Sequence, residues 1–296
     1  MNDRRALAVL LLGACIIGAS PVLVRLSGAG PVATGFWRLA LALPLLALLA
    51  AREGGAGRPG RAVWLAGGFF AADLAFWHYG IHYTSVANAT VLSNLTPILV
   101  TVVGWAAFGE RPRALFLLGM GGAVAGAVTM GLARHGGVGP GNNPVLGDLL
   151  SAATALWYGA YFLSVREARR TTGVTPLMLW TALIGLPPLL AAAVLLKEPL
   201  LPGALAGWAA CVGLGVMHVT GQGAIAWALG RLPASLTAVV VLIQPVVAAL
   251  LGWLAFGEAV TPVQALGGLV TLAGVALAQS ASRPAPPREA AEPVGA

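Results

Sequence analysis

GWAAFGE at residues 104–110 returns as GWLAFGE at residues 252–258. The offset is 148 residues, half of the 296-residue chain. It holds beyond the phrase itself: Val91 meets Val239, Pro97 meets Pro245, Leu118 meets Leu266, Gly119 meets Gly267 and Gly126 meets Gly274. A second echo lies earlier in each half, where GASPVLVR (18–25) aligns with GAYFLSVR (159–166). Self-similarity at a fixed spacing is the mark of a duplicated unit. We therefore expect a first repeat over 1–137, a linker over 138–145, a second repeat over 146–281 and a disordered cytoplasmic tail over 282–296.

Composition decides what the unit is made of. Hydrophobic residues make up 58% of the chain and charged residues 9%, whereas a soluble domain carries about 25% charge. A bilayer core about 30 Å thick takes about 20 helical residues to cross. Ten apolar runs approach that length: 6–26, 31–50, 62–83, 86–108, 114–133, 146–165, 176–196, 204–228, 234–256 and 262–281. None alternates apolar with polar residues as a membrane β-barrel strand does. Arg4 and Arg5 precede the first run as they would in a secretory signal. That run is too long for a signal core of about 7–15 residues, and its end is the repeat partner of an internal segment, so it reads as a retained span.

Five spans per half is an odd number, so the second half must enter the membrane from the opposite side. The expected fold is thus all-α, with ten transmembrane helices as two inverted five-helix repeats around a central cavity. Inverted repeats characterise secondary transporters, whose sites lie near the midplane between the repeats. The net charge of +7 fits a membrane protein better than a nucleic-acid binder. With the N-terminus inside, the cytoplasmic segments hold thirteen arginines, among them Arg52, Arg58, Arg111, Arg113, Arg169, Arg170 and Arg231, and the outer connections hold only Arg134 and Lys197. That bias follows the positive-inside rule, and it places both termini on the cytoplasmic side of a bacterial inner membrane. Cys15 and Cys211 fall inside apolar runs and read as small buried hydrophobes.

The repeated phrase, the two sets of five spans and the overall length resemble the EamA family of the drug/metabolite transporter superfamily, over residues 5–280. The resemblance implies a basket of helices around a cavity lined mainly by the first, third, fourth, sixth, eighth and ninth spans. It also implies alternating access and export of small organic metabolites. Amino acids, aromatic or neutral, are the expected substrates, as in bacterial amino-acid exporters of this family, with efflux of drugs or of another metabolite by the same fold as the other reading.

The residues that could carry transport follow from the rarity of polar groups in lipid. Pro97 and Pro245 occupy matching places near the middle of two spans, where each removes a backbone hydrogen bond. They read as hinges or as static kinks. Asn94 and Gln244 beside them, with Asn88, should face protein or water. His78 and Tyr79 in the third run, Trp157 and Tyr161 in the sixth, and His218 with Gln222 in the eighth are the candidate cavity-lining groups. Trp157 and Tyr161 share a face at i, i+4, and so do His218 and Gln222. Tyr83 and His82 are assigned to the interfacial aromatic belt. Asp73, an acid deep within a helix, is the candidate for proton coupling. Arg38, near the outer third of the second span, is expected to snorkel to the interface, with a substrate carboxylate as the other reading. Glu110 and Glu258 are assigned a structural role at helix ends.

No metal-ligand spacing, nucleotide-binding loop or recognisable catalytic set is present, so no cofactor, no metal and no enzymatic activity are expected. The expected partners are a small-molecule substrate and the lipid bilayer, and the protein is expected to be a monomer.

Overall fold

The structure is a computed structural model and describes residues 2–83, 92–93, 95–109, 111–133, 143–256 and 260–281. Asn88, Asn94, Glu110, Glu258, Arg134, residues 138–142 of the expected linker and the tail from 282 onward lie outside them. Every regular element among the described residues is helical. In chain order these are α1 (Asn2–Gly18), α2 (Ser20–Ser27), α3 (Pro31–Arg52), α4 (Arg61–Tyr83), α5 (Thr96–Phe108), α6 (Ala114–Leu132), α7 (Pro144–Ala168), α8 (Val174–Leu195) and α9 (Leu205–Met217). A π turn (His218–Gln222) then leads into α10 (Gly223–Leu229), α11 (Ala234–Val241), α12 (Ile243–Phe256) and α13 (Pro262–Ala281).

Six stretches among the described residues are long and apolar enough to cross a membrane: Arg4–Ser27, Pro31–Arg52, Val174–Leu195, Leu205–Leu229, Ala234–Ala255 and Pro262–Ala281. Two shorter apolar helices are Thr96–Ala106 and Ala114–Met130. α4 and α7 are long, at 23 and 25 residues, but they are more polar: α4 carries Asp73, His78 and His82, and α7 carries Asp148, Arg166 and Glu167. The surface is inverted relative to a soluble protein. Leu118 and its repeat mate Leu266 are 66% and 61% exposed, while Asp73, Arg38, His78, His218 and Gln222 are buried. In lipid this is the favourable arrangement, since apolar side chains meet acyl chains and polar ones meet each other.

The halves are related by an axis that can be located. A Cβ added at Gly126 would lie 2.5 Å from both Gly267 O and Thr271 N, and one at Gly119 would lie 2.5 Å from Ala278 N and 2.8 Å from Gly274 O. Only glycine permits this approach of α6 to α13. As residue numbers rise along α6 they fall along α13, so the pair is antiparallel. Each glycine faces the repeat mate of the other: Gly119 meets Gly274, and Gly126 meets Gly267. Between them Thr271 Oγ1 reaches Ala123 O at 3.5 Å, and these two residues are also 148 apart. A twofold axis crosses the helix pair here, which turns one half upside down relative to the other. The remaining contacts obey the same exchange. α3 packs on α8 and α5 on α11, while α4 on α7 is matched by α1 and α2 on α9, α10 and the π turn.

A reciprocal pair of latches joins α3 to α8. Trp37 Nε1 donates to Leu200 O at 2.7 Å, and Trp180, at the matching place 143 residues on, donates to Ala56 O at 3.1 Å. At the first latch the Glu198 carboxylate also accepts from Ala33 N at 2.9 Å, from Val32 N at 3.3 Å and from the Tyr79 hydroxyl. A carboxylate at the start of a helix satisfies its free N–H groups and complements its dipole. At the second latch Glu53 accepts from Thr175 Oγ1 at 2.7 Å. The loop leaving each half's second helix thus holds the start of the other half's second helix. The two latches lie at opposite ends of α3, roughly 33 Å apart for its length at 1.5 Å per residue.

Pro97 and Pro245 sit at interruptions, whereas Pro44, Pro187 and Pro188 lie inside α3 and α8. Pro97 lies in the first turn of α5, after the cap at Leu95. Pro245 is the third residue of α12, after α11 ends at Val241. In a first turn the missing proline N–H would have had no helical partner anyway. Thr96 Oγ1 bonds Ser93 O at 3.0 Å at the first of these breaks. A third interruption at Ala19, before Pro21, separates α1 from α2.

Candidate functional site

Four elements bring polar side chains together: α3, α4, α7 and the π turn. α4 supplies Phe70 and Asp73, three residues apart and therefore on one face. The Phe70 ring is the centre of the group. Its centroid lies 4.8 Å from the Tyr161 ring and 5.3 Å from the His218 ring, and the Arg38 guanidinium carbon lies 5.8 Å from it. Gln222 Nε2 donates to Tyr161 Oη at 3.1 Å. Tyr158 stacks on Tyr161, with ring centroids 6.0 Å apart. Arg38 lies within electrostatic reach of Tyr158, Asp73 and Tyr161. Two of the elements come from the first half and two from the second, so the cluster straddles the seam between the repeats.

The π turn explains why His218 and Gln222 both point inward. Its wider i→i+5 bonding carries an extra residue per turn, and such turns gather at functional positions. His218 is fully buried, and neither of its ring nitrogens has a hydrogen-bond partner. Arg38 is 5% exposed, with its Nε buried and unpartnered. Each neutral group left so costs roughly 1–3 kcal/mol, and a guanidinium at mid-bilayer costs about 3 kcal/mol or more. A fold retains such groups where something else completes them.

The expected site residues divide accordingly. Asp73, Tyr161, His218 and Gln222 meet in the cluster. His78 is buried farther along α4, where Nδ1 donates to Leu74 O at 2.5 Å and Nε2 has no partner. Tyr79 is engaged by Glu198 at the first latch and stacks on Tyr83 at 5.8 Å. Trp157 packs between Phe69 and Phe76, with ring centroids 5.9 and 5.8 Å away. Gln244 lies where α12 meets the end of α1, its backbone carbonyl against Gly18 and its Nε2 buried without a partner. Asn94 is outside the described residues.

The expected snorkelling of Arg38 is corrected. Its side chain turns into the bundle over Phe70 instead of reaching the interface, because the face of α3 that bears it packs against α4. Phe70 is an addition, and Tyr158, aromatic surface that the sequence offers beside Trp157 and Tyr161, takes the place expected of Trp157. The i, i+4 spacing singles out Trp157 as the companion of Tyr161, but the neighbour one turn back on the inward face is Tyr158. Phe70 carries no polar atom, and nothing in the sequence marks it.

A cavity of about 310 Å³ opens beside the π turn, between Leu46, Met178, Val219 and Trp227, with Arg5 at its rim. It lies at the end of the bundle that carries the Glu53 latch. A second, apolar cavity of the same size runs between α2 and α12, along Leu23 and Leu251.

Comparison with known proteins covers nearly the whole chain. The model of the EamA-like transporter family matches residues 4–132 and 145–279. An uncharacterized transporter of Archaeoglobus fulgidus is similar at 26% identity over 272 residues, 92% of this chain and 95% of the relative. One solved crystal structure superposes with a TM-score of 0.79 at 22% identity, over 94% of this chain and 97% of that one, which demonstrates a shared fold.

Proposed function

Because this chain belongs to the EamA-like transporter family, we propose that it exports small organic solutes, amino acids first among them, across the cytoplasmic membrane by alternating access. The observation that carries this reading is the buried polar cluster at the seam. A soluble solute crossing a bilayer needs a place where its own polar groups are met, and that place should be built by both moving halves.

The reading uses ten spans. α4 and α7 join the six apolar stretches, since each exceeds the roughly 20 residues that a bilayer core takes. Asp73 and His78 are buried within the bundle and Glu167 lies exposed at a helix end, so these polar residues lower the hydropathy without preventing insertion. α5 and α6 complete the first half. Both termini lie on the cytoplasmic side, and the protein works as a monomer.

The two latches are the gates. Each joins the same two helices, α3 and α8, at opposite ends. Rocking one half against the other lengthens one set of contacts while shortening the other. The interruptions at Ala19, at Pro97, before Pro245 and at the π turn let the segments bend as this happens. The groove beside Val219 and Thr220 lies at the end that carries the Glu53 latch, and none of the cluster residues lines it.

Counterflow tests the proposal. Purified protein in liposomes loaded with unlabelled leucine or phenylalanine should accumulate the labelled amino acid transiently, without ATP, and the rate should saturate. Flux that rises linearly with concentration and shows no counterflow would identify a channel and sink the carrier reading.

A further inference from the structure

We propose that the groove beside the π turn binds an anionic phospholipid, with an acyl chain laid between the helices and the phosphate held by Arg5 and Arg231. The site is apart from the buried cluster and goes beyond the carrier reading, since it is the same whatever solute is moved.

The groove has an apolar bed. Val9 of α1, Leu49 of α3, Met178 of α8, Val219 of the π turn and Ala224 of α10 line a space of about 310 Å³. From Val219 to Trp227 it follows the chain for about 12 Å at 1.5 Å per residue. Gly223 lies on its floor. That residue is buried, yet a Cβ added to it would meet nothing within 4 Å. The bed is therefore open space between helices of both halves, deep enough to take a chain of methylenes out of the surrounding lipid.

The mouth is basic. Arg5 and Trp227 line the same groove. The Arg231 guanidinium carbon lies 3.7 Å from the centre of the Trp227 ring, and its Nη1 donates to Trp227 O at 3.1 Å. The Arg169 guanidinium stands behind it, against Gly230, where an added Cβ would lie 3.1 Å from Nε. None of these three arginines makes an ion pair among the described residues, where Arg170 pairs with Glu167. Glu53 is tied to the rim by Thr175 Oγ1 at 2.7 Å. Its charge opposes an anion beside Thr175, so the phosphate belongs with Arg5 and Trp227.

The two parts together select the ligand. A soluble anion uses the arginines and ignores the bed. An uncharged or zwitterionic lipid uses the bed and leaves the arginines without a counterion. A phospholipid of net negative charge satisfies both. Basic pockets between transmembrane helices on the cytoplasmic side bind such headgroups, and the topology that follows the positive-inside rule puts Arg5 and Arg231 on that side.

The experiment is native mass spectrometry of the full chain from micelles holding equal amounts of dioleoyl phosphatidylglycerol and dioleoyl phosphatidylcholine. Melting temperatures are measured with each lipid and with glycerol 3-phosphate, a headgroup without chains. We expect one retained phosphatidylglycerol per chain, preferred about tenfold over phosphatidylcholine, and a melting temperature raised by that lipid alone. A basic residue near an anionic surface contributes roughly fivefold in affinity. Arg5→Gln with Arg231→Gln should thus weaken retention on the order of 20-fold. Gly223→Leu, which fills the bed and keeps both charges, should abolish it. Arg111→Gln with Arg113→Gln, an equal loss of charge on the loop between α5 and α6, should change it by less than about twofold. Equal retention of the two lipids, equal loss in the two double variants, or stabilisation by glycerol 3-phosphate to the same extent as by phosphatidylglycerol would each overturn the site. The comparison of lipids uses the unaltered protein, so it decides the matter even if a variant fails to fold, and none of these outcomes touches the counterflow test of the carrier reading.

Discussion

Gln222 joins the π turn to α7 by one hydrogen bond to Tyr161, in a place where neither group reaches water. Gln222→Ala leaves the phenol buried without that donor, an imbalance of roughly 1–3 kcal/mol. We expect initial counterflow rates to fall about tenfold, with the melting temperature lowered by only a few degrees. An unchanged rate would remove Gln222 from the site. The sequence marks this residue, together with His218, Tyr161 and Asp73, because polar groups inside apolar helices are rare and each demands a partner. It does not mark Arg38 in the same way. An arginine seven residues into a span has a cheap alternative at the interface, and only the packing of α3 against α4 closes that route. Tyr79, four residues from Tyr83 and expected to line the cavity, also donates its hydroxyl to Glu198, from a loop more than a hundred residues away. Contacts over such separations leave no local trace in the chain.

At the level of elements, the latches matter more than any single helix. The Glu198 latch ties α3, α4 and the loop after α8 through hydrogen bonds to one carboxylate and one indole. The Glu53 latch has one hydroxyl and one indole bond. The Glu198 end is thus the more strongly closed. Hydrogen bonds to a charged group contribute about 1.5–3 kcal/mol each, enough to shift a two-state population tenfold or more. Glu198→Gln should therefore raise the fraction of molecules open at that end. The check is the labelling rate of a single cysteine placed at Thr34, on the first turn of α3, in a background without Cys15 and Cys211. The rate from the Glu198 side should rise about tenfold. No rise, or a fall, would mean the latch is a static brace. The latches were hidden from sequence reasoning even though Trp37 and Trp180 are repeat mates, because indoles near helix ends are also what an interfacial belt provides.

The whole molecule separates a repeated scaffold from an unrepeated site. Trp37 matches Trp180, Pro44 matches Pro187 and Gly30 matches Gly173, all at an offset of 143. Gly119, Gly126 and their mates build the axis. At the same offset Arg38 faces Thr181, so the guanidinium has no twin. Duplication makes the architecture legible, since symmetry needs only equal spacing and small residues where helices cross. The site escapes that logic: each half contributes different chemistry to a shared seam, and only the folded arrangement shows which side chains meet.

The central claim is that this seam opens alternately to the two sides of the membrane. It is tested most directly by a cysteine in place of Phe70, in the background without Cys15 and Cys211, and by membrane-impermeant thiol reagents applied from one side at a time. The account predicts labelling from both sides, with the two rates shifting in opposite directions when the Glu198 latch is weakened. Labelling from one side only, at a rate indifferent to the latch, would contradict it.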